Sequence, residues 1–485
     1  MDEIDEVADA VDALTAALES DDDVAHAEVG GYLRDRSTVI LTGEGVRSSH
    51  AFLTTGVWCR VLADGASAYR HVTDPDAATL DTTAETAARS AIQLAQERPE
   101  SYDPETVHRG THPGWADEPV SAVRPDAKAD RLVTVTENAV ADRDLGRLRL
   151  EYADEHVVSM LSTTAGTLLT GTVDRASADL SVAADGATVR RHRGSTDGST
   201  LESVDSLLAD AMADVDRLAA AAPETPEGGR LSIVLGPRAA GQLVALLSRA
   251  FEADVVLADQ SPVERGDRIA PRLLSVEDGV RAGSWAARPF DAEGRPTTPV
   301  RLVEDGVVRN YLHSVSSAAT LGGAVAGTVI PSIGFESAPR IHARHLDVDP
   351  GERSLSELSA GASVYVDRFR APWQAEGLLR KLRSGWAPPG AHYVSQLAEK
   401  IPETERAAGR GRASLPIAEG YLLEGDEPAG RLEGATYEFA FDDLRTLDGA
   451  GVRRETVTGI AEKHKSQLPY AVTAPALRLT GRIRP

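Results

Sequence analysis

Apolar residues at Ile4, Val7, Ala8, Val11, Leu14 and Leu18 recur at helical spacing with acidic residues opposite, so the chain opens with an amphipathic helix. Short apolar runs then predict strands at 24–30, 37–42 and 57–62, with Gly43, Gly45 and Asp64-Gly65 as the turns between them. An alanine-rich stretch, 77–97, predicts a second helix, followed by a polar loop to about Asp130. Further strands are expected at 157–164 and 167–173, and a third helix at 201–221. Pro223-Glu224-Thr225-Pro226-Glu227-Gly228-Gly229 has the composition of a linker and divides the chain into residues 1–222 and 230–485. The first part alternates helices with short strands, a layered α/β arrangement. In the second part, Leu231-Ser232-Ile233-Val234-Leu235 predicts a strand and Pro237 suits a first helical turn. Leu243, Leu246, Leu247, Ala250 and Phe251 share one face of that helix, and strand and hairpin signals dominate after it. The expected class is α+β.

Charge changes the picture more than composition does. Acidic residues outnumber basic ones by 75 to 51, for a formal charge of -24. Lysine appears only at Lys128, Lys381, Lys400, Lys463 and Lys465. An acidic, lysine-poor surface resembles that of proteins from a salt-rich cytoplasm, where a Debye length of about 3 Å at 1 M salt screens self-repulsion. Duplex DNA is an unsuitable direct partner, because binding it requires a basic surface that displaces counterions. Arg190-Arg191-His192-Arg193 and the arginines between Arg406 and Arg412 are short basic runs that read as solvated loops. The single cysteine, Cys59, rules out an intramolecular disulfide and sits in an apolar strand as a buried thiol. The N-terminus lacks signal-peptide regions, and no apolar run approaches the roughly 18 residues that span a bilayer, so a cytoplasmic, membrane-free protein is expected.

Downstream of the predicted helix, Phe290-Asp291-Ala292-Glu293-Gly294-Arg295-Pro296-Thr297 forms an FD-x-EG-x-x-T turn. The strand 300–304, the hairpin Asp305-Gly306-Val307, Tyr311-Leu312 and Ala318-Ala319-Thr320-Leu321-Gly322 follow it. Together with Pro339-Arg340-Ile341, Pro350-Gly351 and the N-terminal Gly56-to-Gly65 strand, this succession resembles the TldD/PmbA family. The resemblance implies a mainly antiparallel, barrel-like second domain enclosing a cavity. In the TldD branch the helix carries H-E-x-x-x-H, and a C-terminal cysteine completes a zinc site. Counting back from Glu252-Ala253-Asp254, which resembles the motif's E-G-D ending, the two histidines fall at Val244 and Arg249 and the glutamate at Ala245. Gly459-Ile460-Ala461-Glu462-Lys463 resembles G-V-C-G-K, which puts Ala461 at the cysteine. Zinc takes imidazole, thiolate or carboxylate donors, and these four residues offer none. An arginine also places a fixed positive charge where a dication would sit. The chain therefore resembles the PmbA branch, which lacks the zinc motif. That likeness implies no metal or cofactor in this chain and no catalytic residue of its own. It also implies a zinc-bearing TldD-type partner in an assembly that degrades unfolded peptides. Family members have also been described as modulators of DNA gyrase.

Two other readings remain open. The chain could be a self-associating scaffold, a homodimer that has kept the fold without proteolysis. It could alternatively be a hydrolase using His342 and His345 with Asp347 and Asp349, the compact histidine–carboxylate cluster of the sequence. An H-x-x-H spacing on a strand sends the two rings to opposite faces, which argues against a metal there. His108 and His112 lie in the polar loop and read as connector residues. Trp373 and Trp386, on an arginine-rich stretch, are either a folded-back insertion or an interface element.

Overall fold

A computed structural model describes residues 2–94, 100–103, 106–141, 146–370 and 411–485. The segment carrying Trp373 and Trp386 lies outside these residues, as do all but one of the arginines between Arg406 and Arg412. Two sheets organise the described chain, a seven-stranded one within residues 26–195 and a twelve-stranded one within residues 223–484.

Three long antiparallel strands, His26–Thr42, Arg147–Thr163 and Leu168–Ala184, form the middle of the first sheet. Odd positions of the first of them, including Val29, Val39 and Leu41, lie under helices. Helices Asp2–Glu19 and Ala77–Gln93 cover one end of that face, while Pro125–Val140 and Val204–Ala220 cover the other. The opposite face carries Tyr32, Val157 and Leu161, which join the core of the second half. This is the period-two alternation of a sheet buried on both sides.

In the second sheet five strands close a ring. Ser466–Arg484 pairs with Gly229–Leu235, which pairs with Val364–Phe369, then Arg412–Glu424, then Thr436–Ala440 and back to Ser466–Arg484. Most of these pairings are antiparallel, so the protein combines an antiparallel curved sheet with a closed β-barrel. Closure removes the free edges that an open sheet would expose.

The two halves are tied by buried charge. Arg191, on the first sheet, donates to Glu419 of the barrel at 2.8 and 2.9 Å and also pairs with Asp214. Arg60 bridges Glu28 at 2.6 Å and Glu293 of the FD-x-EG turn at 2.9 Å. That turn is held by the Asp291 carboxylate, which accepts from the backbone N–H groups of Glu293, Arg295 and Val329. No helix among the described residues is long and apolar enough to cross a membrane.

Candidate functional site

The helix at the centre of the sequence argument runs Pro237–Leu247, tightens into a 3₁₀ turn over Ser248–Phe251, and resumes at Ala253–Leu257. It is buried almost all round, as a helix that is apolar on every face should be. Its one buried amide, Gln242, is matched to the backbone of Phe369, donating to the carbonyl at 3.3 Å and accepting from the N–H at 2.8 Å.

One side of this helix lies along the strand Gly449–Lys463. Gly241 sits so close to Val457 that a Cβ there would meet the valine methyl at 2.7 Å. Ala245 follows one turn later on the same side. Arg249, in the 3₁₀ turn, donates from Nη2 to the carbonyl of Glu462 at 2.6 Å. On the strand, Val457, Ala461 and Lys463 share a face by alternation. Ala245, Arg249 and Ala461 therefore border one helix–strand seam. Val244 turns elsewhere, into an apolar hollow lined by Leu247, Phe251, Leu302, Leu346 and Leu477.

The seam ends in a charge cluster. Lys463 is 2% exposed, and its Nζ lies 2.6 Å from Glu252 Oε2 and 2.7 Å from Asp254 Oδ2. Nζ also donates to the carbonyl of Ile341 at 2.9 Å. The other Glu252 oxygen is 2.7 Å from His342 Nδ1. Burial would raise the Glu252 carboxyl, but the Lys463 ammonium and the His342 bond outweigh it and hold the group at about 2. Arg340 lies within electrostatic range of Asp254, and His464 within range of Arg340, Lys463 and Arg249. Fixed cations thus face Glu252 and Asp254 from several directions.

This donor set does not fit zinc. The seam positions present methyl groups and a guanidinium, and the Glu252 carboxylate at the end of the seam is already engaged by an ammonium. Among the described residues no group of three or more His, Cys, Asp or Glu side chains could hold a metal ion. The alternative pair also separates. His342 faces Glu252, whereas His345 is bonded to Ser284 Oγ at 2.7 Å and Thr473 Oγ1 at 2.9 Å. Burial, aided by Arg281 and Arg454, pushes His345 down to about 4. Asp347 pairs with Arg281 and Arg454, and Asp349 with Arg301. His112 accepts a bond from Gly114 N–H and packs on Trp115. Cys59 is buried, and burial pushes its thiol up to about 12. The sequence reading used Glu252, Asp254 and Lys463 only as motif markers and missed them as a cluster.

A mixed curved sheet joined to a closed barrel is the architecture of a known group of metallopeptidase-related proteins. Residues 228–376 match the PmbA/TldA metallopeptidase C-terminal domain. A metalloprotease from Methanothermobacter thermautotrophicus is 28% identical over 244 residues, which is 48% of this chain and 53% of that protein. One from Archaeoglobus fulgidus is 31% identical over 136 residues, 27% of this chain and 31% of that protein. The chain thus spans about half the length of the first of these curated relatives and less of the second. Two solved structures share the fold over 98% of this chain and 100% of theirs. One is a proposed modulator of a DNA gyrase from Thermotoga maritima, at 17% identity and a TM-score of 0.72. The other is TldE from Thermococcus kodakarensis, at 14% and 0.69. Residues 228–376 therefore form a domain of the PmbA/TldD family, and the chain as a whole shares the fold of these solved structures.

Proposed function

We propose that this chain is the zinc-less subunit of a peptidase assembly that acts on unfolded peptides beside a zinc-bearing TldD-type homologue. The observation that carries the reading is the helix–strand seam. Ala245, Arg249 and Ala461 stand there where the metal-binding branch has a base and two donors, and the Lys463–Glu252 pair keeps the neighbouring backbone fixed. A buried ammonium and a guanidinium supply locally the positive charge that a dication would bring. They can hold carboxylates and carbonyls in place, but they cannot lower the pKa of a water as zinc does. The partner therefore supplies metal, water activation and general base, and this chain supplies chamber wall and peptide path. The relatives named metalloproteases support the class of activity.

The acidic surface fits a salt-rich cytoplasm. Of the five lysines, Lys128 is paired with Asp154 and Lys463 with Glu252, both at 2% exposure, so these two are withdrawn from the surface.

The test is a mixing experiment in high salt with fluorescently labelled unfolded casein. The chain alone should give the blank rate. Mixed with a zinc-bearing homologue it should co-elute as a hetero-complex and support hydrolysis that a chelator abolishes. Hydrolysis by the chain alone would overturn the proposal. A stable homodimer that never takes up the homologue would replace it with the scaffold reading.

A further inference from the structure

The first sheet has an edge that its own chain does not finish. The strand Gly45–Ala63 pairs with His26–Thr42 from Gly45 to Leu62, but Ala66–Thr73 covers its other side only from Gly56 to Ala63. The covering strand ends because Asp74, at a φ of 49°, turns the chain out of the sheet toward the helix Ala77–Gln93. Among the described residues no strand pairs with that side of residues 45–55. One bond gives the direction of the backbone there. Asp74 N–H donates to the Thr55 carbonyl at 3.4 Å, so Thr55 faces away from His26–Thr42. Backbone groups alternate along a strand, so Leu53, Ala51 and Ser49 also turn N–H and C=O to the open side.

Exposed edges are ordinarily blunted by charge, proline or a bulge, because each is a template for pairing with another chain. Here the devices present are Arg47 and the bulge it forms, where the register slips between Ile40 and Leu41, and both lie beside the turn. From Ser48 to Cys59 the chain has no Asp, Glu, Lys, Arg or Pro, in a protein of formal charge -24. Phe52 is 45% exposed and Leu53 48%, with the Arg36 guanidinium of the neighbouring strand 5.9 Å from the Phe52 ring. An uncharged, partly apolar and unpaired edge on so acidic a surface is matched by a strand with the same properties. The chain itself carries one.

We propose that this edge pairs with the same edge of a second copy of the chain, antiparallel about a two-fold axis at Ala51. A two-fold pair uses the same surface on both copies, and only outward-turned residues can exchange bonds. The register centred on Ala51 engages Ser49, Ala51 and Leu53 together and leaves the Asp74 bond to Thr55 in place. Ala51 then faces Ala51 of the second copy, and Ser49 faces the second copy's Leu53. On the other face of the sheet each Phe52 lies across from the second copy's His50, a cross-strand aromatic pair. The small side chains at the axis let the backbones approach. This inference does not use the helix–strand seam, and the two readings stand or fall on separate measurements.

The experiment is sedimentation velocity in high salt, where repulsion between two acidic chains is screened. The wild-type chain should sediment as a dimer at micromolar concentration. Ala51→Pro removes an outward N–H without touching the bonds to His26–Thr42, and should raise the dimer dissociation constant about tenfold or more. Cysteine variants test the register, because the native Cys59 is buried, with its thiol pushed up to about 12. Facing Cα atoms of a bonded pair lie about 5.5 Å apart, within the span of a disulfide. Oxidised Ala51→Cys should therefore give a covalent dimer on a non-reducing gel. Ser49→Cys and Leu53→Cys should each stay single alone and cross-link when mixed. If Ala51→Pro does not fold, the cysteine set decides by itself. A monomeric wild type overturns the proposal. So does a dimer as tight in Ala51→Pro as in the wild type, or one in which Ala51→Cys fails to cross-link.

Discussion

Replacing Lys463 with methionine is expected to cost about 3–5 kcal/mol of folding stability, the range found when one partner of a buried ion pair is removed. The chain of length and bulk is kept, so the loss is electrostatic. Glu252 is fully buried, and without the ammonium its carboxylate retains the His342 bond and only the weaker field of Arg249. The same substitution strips a donor from Asp254 and from the Ile341 carbonyl. Guanidinium unfolding should show a lower midpoint with an unchanged slope, the mark of lost stability rather than an altered unfolded state. Adding Glu252→Gln should restore part of the loss, since a neutral amide needs no counterion. A single-variant loss below about 1 kcal/mol would mean that the pair is solvated and that the seam is not an enclosed site.

Acid should unfold the protein cooperatively between about pH 4.5 and 2. Burial by itself raises the carboxyls of Glu28, Glu155 and Glu252, and their cation partners reverse this and hold each at about 2. The partners are Arg60 and His26 for Glu28, Arg34 and Arg175 for Glu155, and Lys463 and His342 for Glu252. A carboxyl depressed in the folded state stabilises fully above its unfolded pKa. That contribution disappears as pH falls through the folded value. At about 1.4 kcal/mol per unit, each group contributes at most on the order of 3 kcal/mol. Three such losses are comparable with a typical total stability of about 5–15 kcal/mol. Circular dichroism followed against pH at constant salt should show the native signal lost within that window. A signal unchanged at pH 2 would mean that these carboxylates are not paired as described.

The places where the sequence was hardest to read have physical causes. The strands expected at 24–30 and 37–42 are one strand, His26–Thr42. The intervening Gly30-Gly31 and Arg34-Asp35-Arg36 have the composition of a turn, yet each is explained by a neighbour distant in sequence. A Cβ on Gly30 would meet the Trp58 ring at 2.1 Å, and the Arg34 charge is taken up by Glu155. Turn grammar was more legible where backbone conformation alone decides. Asp64-Gly65 and Asp305-Gly306 both have positive φ at both residues, as a tight two-residue hairpin requires. The helix Pro125–Val140 begins inside the stretch read as a polar loop to about Asp130, because its buried stripe is thin, with Lys128, Leu132 and Thr136 as the enclosed residues.

At the site, the order of motifs pointed to a helix and a strand that pack against each other, and the i, i+4 spacing of Gly241 and Ala245 accounts for their shared side. The break to a 3₁₀ turn after Leu247, which sets where Arg249 points, has no signal in the local residues. The cluster beyond it did leave a trace. A chain that all but avoids lysine keeps one at position 463, and that lysine is buried against Glu252. Scarcity of a residue type was a better pointer than any histidine.

The most direct measurement is the zinc content of the chain purified alone in high salt and dialysed against micromolar zinc. With methyl groups and a guanidinium at the positions that the family resemblance maps onto the zinc donors, it should retain well below one zinc per chain. One zinc per chain surviving dialysis would contradict the account.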